Sequence, residues 1–338
     1  MKTMKKIRYI FLALAAVTAV SCSKHNTDGP QPLNQYIFFD AGMSDIVQTR
    51  TELIADDVFT KDGAQFGVLG FYKDGAPVFN GYTGNIANVY RADGLYKYDK
   101  LAVWQGNTHR FSAFYPYDEL LGNVKVGSDN VPYIEYTQPW NMADMKDILG
   151  SYTQVESKNP DSVNDAVALH FHHLLWAFNV VIRNSQTVEV NPDDEVSDTY
   201  FAIKEVSISL QDYPSKALLK LDADFTVTPQ TTSTNNCTLY SAGAEDGELI
   251  VKDESRTYGP LLFIPVSALK YQVTVKYAIK GGKTVTYTYP SAGQYQTLST
   301  PLEHGKVYNL TIDKKNDKFF VGIEPGSWDQ IDVEHTFD

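Results

Sequence analysis

Residues 169–182 read LHFHHLLWAFNVVI and form the most apolar stretch of the chain after residue 22. From residue 174 onward, every even-numbered position holds an apolar side chain: Leu174, Trp176, Phe178, Val180 and Ile182. Side chains alternate between the two faces of a strand, so this spacing gives one continuous apolar face. The stretch therefore predicts one long strand with a fully buried face, and it favours an all-β fold.

The same alternation recurs toward the C-terminus. Three more segments alternate at period two: residues 207–210, 271–277 and 307–312. In the last segment, Tyr308, Leu310 and Ile312 share one face. Gly281-Gly282 lies between the second segment and residues 285–289, which predicts a hairpin. Helical periodicity is weak throughout, so short strands separated by turns account for most of the chain.

Two polar stretches interrupt the strands. The stretch from Asn184 to Thr199 separates two groups of strands, and we place a domain boundary there. This gives an N-terminal domain over residues 35–184 and a C-terminal domain over residues 185–338. Residues 229–248 are rich in Thr, Ser, Asn and Gly, which predicts an exposed loop.

The N-terminus has the layout of a bacterial lipoprotein signal peptide. Basic residues are frequent at the start, and the apolar run from Tyr9 to Val20 follows them. The run ends in Ala19-Val20-Ser21-Cys22, with Ala19 where a lipobox usually has leucine. We expect residues 1–21 to be removed and Cys22 to carry lipid. An ordinary signal peptide is the alternative.

Lipid on Cys22 would attach the mature protein to the outer membrane. Residues 22–34 are polar and contain proline and glycine, as expected of a tether. The acyl chains, palmitate among them, are the predicted membrane contact because the mature sequence has no second apolar run of membrane length. Cys237 then has no cysteine partner for a disulfide, and two cysteines exclude a thiolate metal cluster.

Composition bears on the possible partners. The formal net charge is −12 at pH 7, so nucleic acid is not an expected partner. The chain contains 22 tyrosines and 17 phenylalanines, which favour strands and can fill a large core.

Candidate metal ligands are few. His170, His172 and His173 form a cluster, and the first two would share a strand face at a spacing that metals can use. No cysteine lies nearby, and no aspartate or glutamate follows within about ten residues. We therefore expect structural histidines, no bound metal and no cofactor.

Acidic residues offer a second set of candidates for chemistry. Asp193, Asp194, Asp222 and Asp224 lack the glycine and terminal glutamate of a calcium loop. The motifs H-E-x-x-H, G-x-S-x-G, G-x-G-x-x-G and the phosphate-binding loop do not occur in the sequence. We expect solvated acids in turns, and we predict that the chain is not an enzyme.

Seven short apolar or aromatic segments occur in a defined order along the chain. They are residues 66–72 (FGVLGFY), 111–117 (FSAFYPY), 147–150 (DILG), 169–178 (LHFHHLLWAF), 262–265 (LFIP), 304–310 (HGKVYNL) and Trp328. Each alone could belong to any β protein. Their order and spacing, over nearly the whole mature chain, resemble the fimbrillin-like proteins, the subunits of type V pili. One departure is Val266, where the family often has glutamine.

The resemblance implies a fold and a route of assembly. The fold would be two transthyretin-like β-sandwich domains in tandem. Subunits of this family are exported as lipoproteins, trimmed after an arginine by a trypsin-like protease, and polymerised by strand donation. In this sequence, Gln48-Thr49-Arg50-Thr51 occupies the place of the family's trimming site, so cleavage between Arg50 and Thr51 is expected. A solvated loop arginine that is not cleaved is the alternative.

The C-terminal tail is a candidate donor strand. After Trp328 it reads DQIDVEHTFD, and Ile331, Val333 and Phe337 lie on one face at period two, with His335 completing that face. The opposite face is acidic and polar. Such a strand needs a half-buried position, which a groove on a neighbouring subunit would supply. The alternative is that the tail closes the sheet of its own second domain.

These features together predict a structural subunit or adhesin of a surface pilus (fimbrium), at the outer membrane and cell surface. Expected partners are other fimbrial subunits, the membrane through Cys22, and a host or bacterial surface receptor. These sequence features are compatible with a stalk, a tip or an anchor subunit. The rival is a surface glycan-binding β-sandwich lipoprotein, in which Trp104 and Trp140 would stack on sugars.

Overall fold

The computed structural model describes residues 36–43, 56–105, 108–156, 166–186, 201–243, 247–279, 283–315 and 318–326. Within these ranges nearly all of the regular secondary structure is strand, so the all-β prediction is confirmed. The described part contains no helix long and apolar enough to cross a membrane.

The strands up to the middle of the chain are β1 (Phe39–Met43), β2 (Gln65–Tyr72), β3 (Ala87–Ala92), β4 (Leu95–Lys97), β5 (Thr108–Tyr115), β6 (Val124–Val126), β7 (Pro132–Thr137), β8 (Leu149–Glu156), β9 (Val167–His173) and β10 (Trp176–Asn184). Those that follow are β11 (Ala202–Lys220), β12 (Val227–Ser241), β13 (Glu248–Leu249), β14 (Ser255–Phe263), β15 (Leu269–Ala278), β16 (Thr284–Tyr289), β17 (Gln296–Leu298), β18 (Val307–Lys315) and β19 (Lys318–Gly326). The helical elements are α1 (Tyr117–Leu120) and short 3-10 turns at Asp56–Thr60, Thr83–Asn85 and Met142–Asp144.

The strands form three sheets. Sheet I has the order β1-β9-β8-β5-β2-β3-β4, and sheet II has the order β14-β10-β18-β19. Sheet III follows the path β16-β15-β11-β7-β6, with β12 and β13 paired to β11 and β17 paired to β15. The division of the chain into two tandem domains at residue 184 stays a prediction.

Sheet I is buried on both faces around β2, which explains why β2 is apolar after Gln65. Its two glycines make room for aromatic rings from β5. A Cβ on Gly67 would lie 2.2 Å from the ring of Phe114, and one on Gly70 would lie 2.9 Å from the ring of Phe111. The tight packing of β2 on β5 therefore depends on these two positions.

Two apolar clusters hold the sheets together. The smaller cluster lies on one face of sheet I and includes Ile37, Phe39, Phe59, Phe66, Phe79, Tyr98, Phe111 and Phe171. The larger cluster is shared by all three sheets, and sheet I contributes Leu69 and Phe114 to it from the other face. The side-chain hydroxyl of Ser112 also donates a hydrogen bond of 2.7 Å to the carbonyl of Leu221 in the turn between β11 and β12. Sheet I is thus in direct contact with the strands that follow it.

The prediction of one long strand over residues 169–182 is wrong in its length. The chain leaves sheet I after β9, turns at Leu174-Leu175, and enters sheet II as β10. Leu174 and Leu175 are both buried, at 2% and 1% exposure. The amide of Leu174 donates to the carbonyl of Ile148, and the carbonyl of Leu175 accepts from the amide of Gly305. The buried face of Leu174, Trp176, Phe178, Val180 and Ile182 is confirmed.

The predicted loop at residues 229–248 is also wrong for most of its length. Residues up to Ser241 belong to β12, which pairs antiparallel with β11. Most of its side chains are exposed, as predicted. Threonine is β-branched and fits a pleated strand, so a polar composition here marks an exposed strand rather than a loop.

Two other predictions from alternation are confirmed. β15 and β16 form an antiparallel hairpin on either side of the predicted turn, and Ala278 pairs with Thr284. In β18, Tyr308, Leu310 and Ile312 face the core, as expected from their period-two spacing.

Candidate functional site

The first strand lies in a slot at the edge of sheet I. β1 runs parallel to β9, with Phe39 opposite Val167. Just before β1, Tyr36 forms an antiparallel bridge to Val103. We call residues 36–43 the leading segment and the space it fills, between β9 and residues 96–103, the slot.

Main-chain hydrogen bonds hold the leading segment on both sides. On one side, the amide of Ile37 donates to the carbonyl of Ala102 at 2.9 Å. On the other side, the amide of Val167 donates to the carbonyl of Phe38 at 2.7 Å. A strand held from both sides leaves two rows of unpaired groups if it departs.

The side chains of the leading segment alternate between core and solvent. Ile37 is fully buried and Phe39 is 5% exposed, whereas Phe38 is 38% exposed and Asp40 is exposed. This alternation follows from the strand geometry of residues 37–40. The segment is therefore anchored by two large apolar side chains placed two residues apart.

Two tyrosines bind the carbonyls of the leading segment. The hydroxyl of Tyr98 donates to the carbonyl of Ile37 at 2.6 Å and accepts from the amide of Ala102 at 3.2 Å. The hydroxyl of Tyr96 donates to the carbonyl of Ala41 at 3.2 Å and is also bonded to the carbonyl of Phe59. Each hydroxyl thus connects the slot wall directly to the main chain of the segment.

Electrostatics keep both hydroxyls protonated. Burial raises the pKa of Tyr98 and of Tyr96 above the usual value, and for Tyr96 the nearby guanidinium of Arg91 opposes this. Arg91 lies over the ring of Tyr96, 5.2 Å from its centroid. Both tyrosines therefore remain hydrogen-bond donors at neutral pH.

Sequence reasoning missed the slot. Tyr96 and Tyr98 belong to an alternating triplet, Tyr96-Lys97-Tyr98, so their shared face was visible. Nothing local indicated that this face would meet a segment 61 residues earlier in the chain.

Most predicted site residues lie outside the described residues. Cys22, Arg50 and Thr51 fall in residues 1–35 and 44–55, and Ile331, Val333 and Phe337 fall in residues 327–338. Lipidation, cleavage and tail donation therefore stay predictions. Arg50 and Thr51 follow the leading segment closely in sequence and precede the turn at Asp56–Thr60.

The last described strand forms an edge of sheet II. β19 pairs antiparallel with β18 along its whole length, from Lys318 opposite Lys315 to Gly326 opposite Val307. The predicted donor tail continues from Gly326. The chain thus reaches the tail from a strand that already occupies the edge beside β18.

The three histidines of the cluster differ in their surroundings. His170 and His172 share the less buried face of β9, as expected, and His173 is buried. Nδ1 of His173 lies 2.7 Å from a carboxylate oxygen of Asp147, which is itself buried. Among the described residues, no group of three or more His, Cys, Asp or Glu side chains could hold a metal ion.

The two tryptophans proposed as sugar platforms pack against the cores. The ring of Trp104 lies 4.9 Å from that of His109, and the ring of Trp140 lies 6.0 Å from that of Tyr213. Both are only partly exposed. Their rings are therefore already engaged, which favours the core interpretation of these residues.

Two of the four acidic candidates, Asp222 and Asp224, lie in the described part of the chain. Asp222 caps the turn between β11 and β12 by accepting the amide of Thr226 at 3.0 Å, and Asp224 is exposed in the same turn. Asp193 and Asp194 lie outside the described residues. The turn interpretation fits Asp222.

A cleft of about 570 Å3 lies where the end of β9 meets the loop before β18. The ring of Phe225 packs between His172, at 5.1 Å, and His304, at 5.5 Å. Residues that line the cleft include His172, His173, Val266, Leu302, His304 and Lys306. They come from distant parts of the chain, so no local pattern could have predicted the cleft.

Comparison with known proteins gives a family match and similar folds. A model of the fimbrillin-like family matches residues 49–327. A crystal structure of a fimbrial protein from Bacteroides vulgatus is 17% identical, with a TM-score of 0.56 over 87% of this chain and 100% of that one. A candidate cell adhesion protein from Bacteroides eggerthii is 11% identical, with a TM-score of 0.52 over 90% and 98%. At these identities the structural likeness shows the fold alone. No curated protein matches the sequence.

Proposed function

The chain belongs to the fimbrillin-like family, and from that premise we propose that it is a subunit or adhesin of a surface pilus. We propose further that it is exported as a lipoprotein on Cys22, trimmed between Arg50 and Thr51, and assembled by strand donation. Family membership supports a cell-surface, fimbrial location, contacts with other fimbrial subunits, and a structural rather than catalytic role.

The observation that carries the proposal is the position of the leading segment. Its strand β1 lies at the edge of sheet I, it buries Ile37 and Phe39, and the predicted cleavage site follows it closely in sequence. Cleavage after Arg50 would leave it held only by non-covalent contacts. A segment held only by non-covalent contacts can be exchanged for another strand. A strand that is covalently joined to the rest of the fold cannot.

Loss of the leading segment would create a binding site for a strand. β9 would become an edge with unpaired N–H and C=O groups along the five residues that now pair with β1. The pockets of Ile37 and Phe39 would be open to water, and refilling each would contribute about 1.5–3 kcal/mol. Main-chain pairing and pocket filling are the two components of strand addition to an exposed sheet edge.

The proposed donor is the tail of a neighbouring subunit, with Ile331, Val333 and Phe337 on its buried face. The position of β19 supports this assignment. A tail that closed its own sheet II would have to add outside β19 or outside β14, because β10 and β18 are already paired on both sides.

N-terminal sequencing of fibres sheared from cells tests the cleavage step. Material from the wild type should begin at Thr51. The variant Arg50→Ala should remain unprocessed and monomeric, whereas the control Lys73→Ala, at an exposed lysine, should assemble normally. Assembled fibres that still carry residues 22–50 would contradict trimming and would indicate an anchor subunit.

Labelling with a radioactive fatty acid tests the lipid anchor. The wild type should incorporate label, and the Cys22→Ser variant should lose it. Cys237→Ser is the matched control, because Cys237 is buried at 1% exposure and should leave labelling unchanged. Label that persists in Cys22→Ser would refute the assignment.

A further inference from the structure

Three aromatic rings surround the side chain of Phe39 in the slot. The ring centroid of Phe39 lies 5.6 Å from Phe111, 5.7 Å from Tyr98 and 6.1 Å from Phe79. The contact with Phe111 is edge-to-face, at an interplanar angle of 84°. Aromatic pairs at such distances stabilise beyond what the burial of their area contributes. The pocket therefore fits a ring better than an aliphatic side chain of similar size.

The walls of this pocket are fixed by the fold. Phe79, Tyr98 and Phe111 are each at most 5% exposed. The ring of Phe111 in turn occupies the space left by Gly70 in β2, where a Cβ would lie 2.9 Å from it. The pocket is formed by residues that follow Thr51, so cleavage after Arg50 leaves all of its walls in the protein.

Tyr98 has two roles in the slot. Its ring is one wall of the pocket, and its hydroxyl binds the carbonyl of Ile37, two residues before Phe39. A strand that places a ring in the pocket thus presents a carbonyl to the same tyrosine. A strand that fills the pocket without offering this carbonyl would leave the buried hydroxyl without its acceptor, which weakens binding.

We propose that this aromatic pocket, formed by Phe79, Tyr98 and Phe111, selects the strand that replaces the leading segment. The partner is an extended strand of a neighbouring subunit that carries an aromatic side chain on its buried face. This inference rests on the proposed strand donation and adds the chemical identity of the anchor. In a second copy of this chain, Phe337 is the aromatic residue of the predicted donor face, and Asp338 follows it as Asp40 follows Phe39.

Peptide binding to the cleaved protein tests the pocket. The full mature chain is made with residues 45–50 replaced by the recognition sequence of a site-specific protease, cut, and mixed with fluorescent peptides. The peptides are residues 35–44 and their variants Phe39→Leu, Phe39→Ala and Phe38→Ala. Because only the peptide changes, a loss of binding cannot come from misfolding of the protein.

The expected result is an order of affinities measured by fluorescence anisotropy. Phe38→Ala should bind within about threefold of the original peptide, since residue 38 lies on the more exposed face. Phe39→Leu should bind roughly tenfold more weakly, and Phe39→Ala roughly a hundredfold or more, because they lose the ring contacts and the pocket filling. With the tail peptide, residues 329–338, Phe337→Ala should weaken binding more than Val333→Ala.

Two results would overturn the inference. One of them would also contradict the proposed strand donation, and the other would not. If Phe39→Leu binds as tightly as the original peptide, the slot accepts any large apolar side chain, and strand donation itself survives. If no peptide enters the cut protein, both the pocket and strand donation at this slot are wrong. A Tyr98→Phe protein should bind the original peptide about 5–10-fold more weakly, and Tyr96→Phe should have a smaller effect.

Discussion

The first and last described strands are both edge strands, but they are held in different ways. β1 has five residues in a parallel ladder with β9, and its anchor Phe39 is 5% exposed. β19 has nine residues in an antiparallel ladder with β18, and none of its side chains whose burial is described is buried in full. Phe320 of β19 is 54% exposed. Strand β1 is held mainly by its buried side chains, whereas β19 is held mainly by main-chain pairing with β18.

This difference separates a replaceable strand from a permanent one. A strand held by side-chain pockets can be exchanged for any strand with matching side chains, provided that its covalent link is cut. A strand that pairs along its whole length with the strand just before it in the chain makes contacts that are local in sequence. The predictions below measure this difference, from the largest expected effect on stability to the smallest.

Phe39→Ala should cost the most. Removing a buried ring typically lowers the free energy of unfolding by about 3–5 kcal/mol. The matched control Phe38→Ala, one residue earlier and on the more exposed face, should cost less than about 1 kcal/mol. Thermal and urea denaturation of the uncleaved chain would measure both. Equal effects would mean that the slot does not anchor β1 through Phe39.

Phe319→Ala tests the same substitution on β19. The ring of Phe319 stacks on Tyr287 at 4.1 Å but is only partly buried. We expect a loss of about 2 kcal/mol, since part of the ring area is already in water. A loss larger than that of Phe39→Ala would reverse the comparison between the two strands.

Tyr98→Phe keeps the ring and removes the hydroxyl. The carbonyl of Ile37 then lacks its donor, and the uncleaved protein should lose about 1–1.5 kcal/mol. Tyr96→Phe should cost less, because Tyr96 is only partly buried and water can replace its hydroxyl. Hydrogen exchange at the amide of Ile37 would report the same order. Faster exchange in Tyr96→Phe than in Tyr98→Phe would contradict it.

Deletion of residues 329–338 should have no effect on the melting temperature of the monomer and should abolish polymers. The reason is that a donor strand contributes to a neighbour rather than to its own sheet. Calorimetry and native gels of the truncated protein would measure the two effects. A clear drop in melting temperature would favour a tail that closes its own sheet, and polymers that persist would exclude it as donor.

Local alternation predicted several elements well and failed where the chain changed sheets. The faces of β18 and the β15–β16 hairpin followed from period two, because each involves neighbours in sequence. The stretch from Leu169 to Ile182 was misread as one strand, because an apolar run does not show that its two halves belong to different sheets. The polar strand β12 was misread as a loop, since its stability comes from pairing with β11 rather than from burial.

The sequence by itself determined the β class, the buried faces of the strands and membership of the fimbrillin-like family. Only the tertiary structure decided that Phe79, Tyr98 and Phe111 would surround Phe39. The physical reason is that alternation is set by the geometry of single strands, whereas a pocket depends on which strands pair across long separations in sequence.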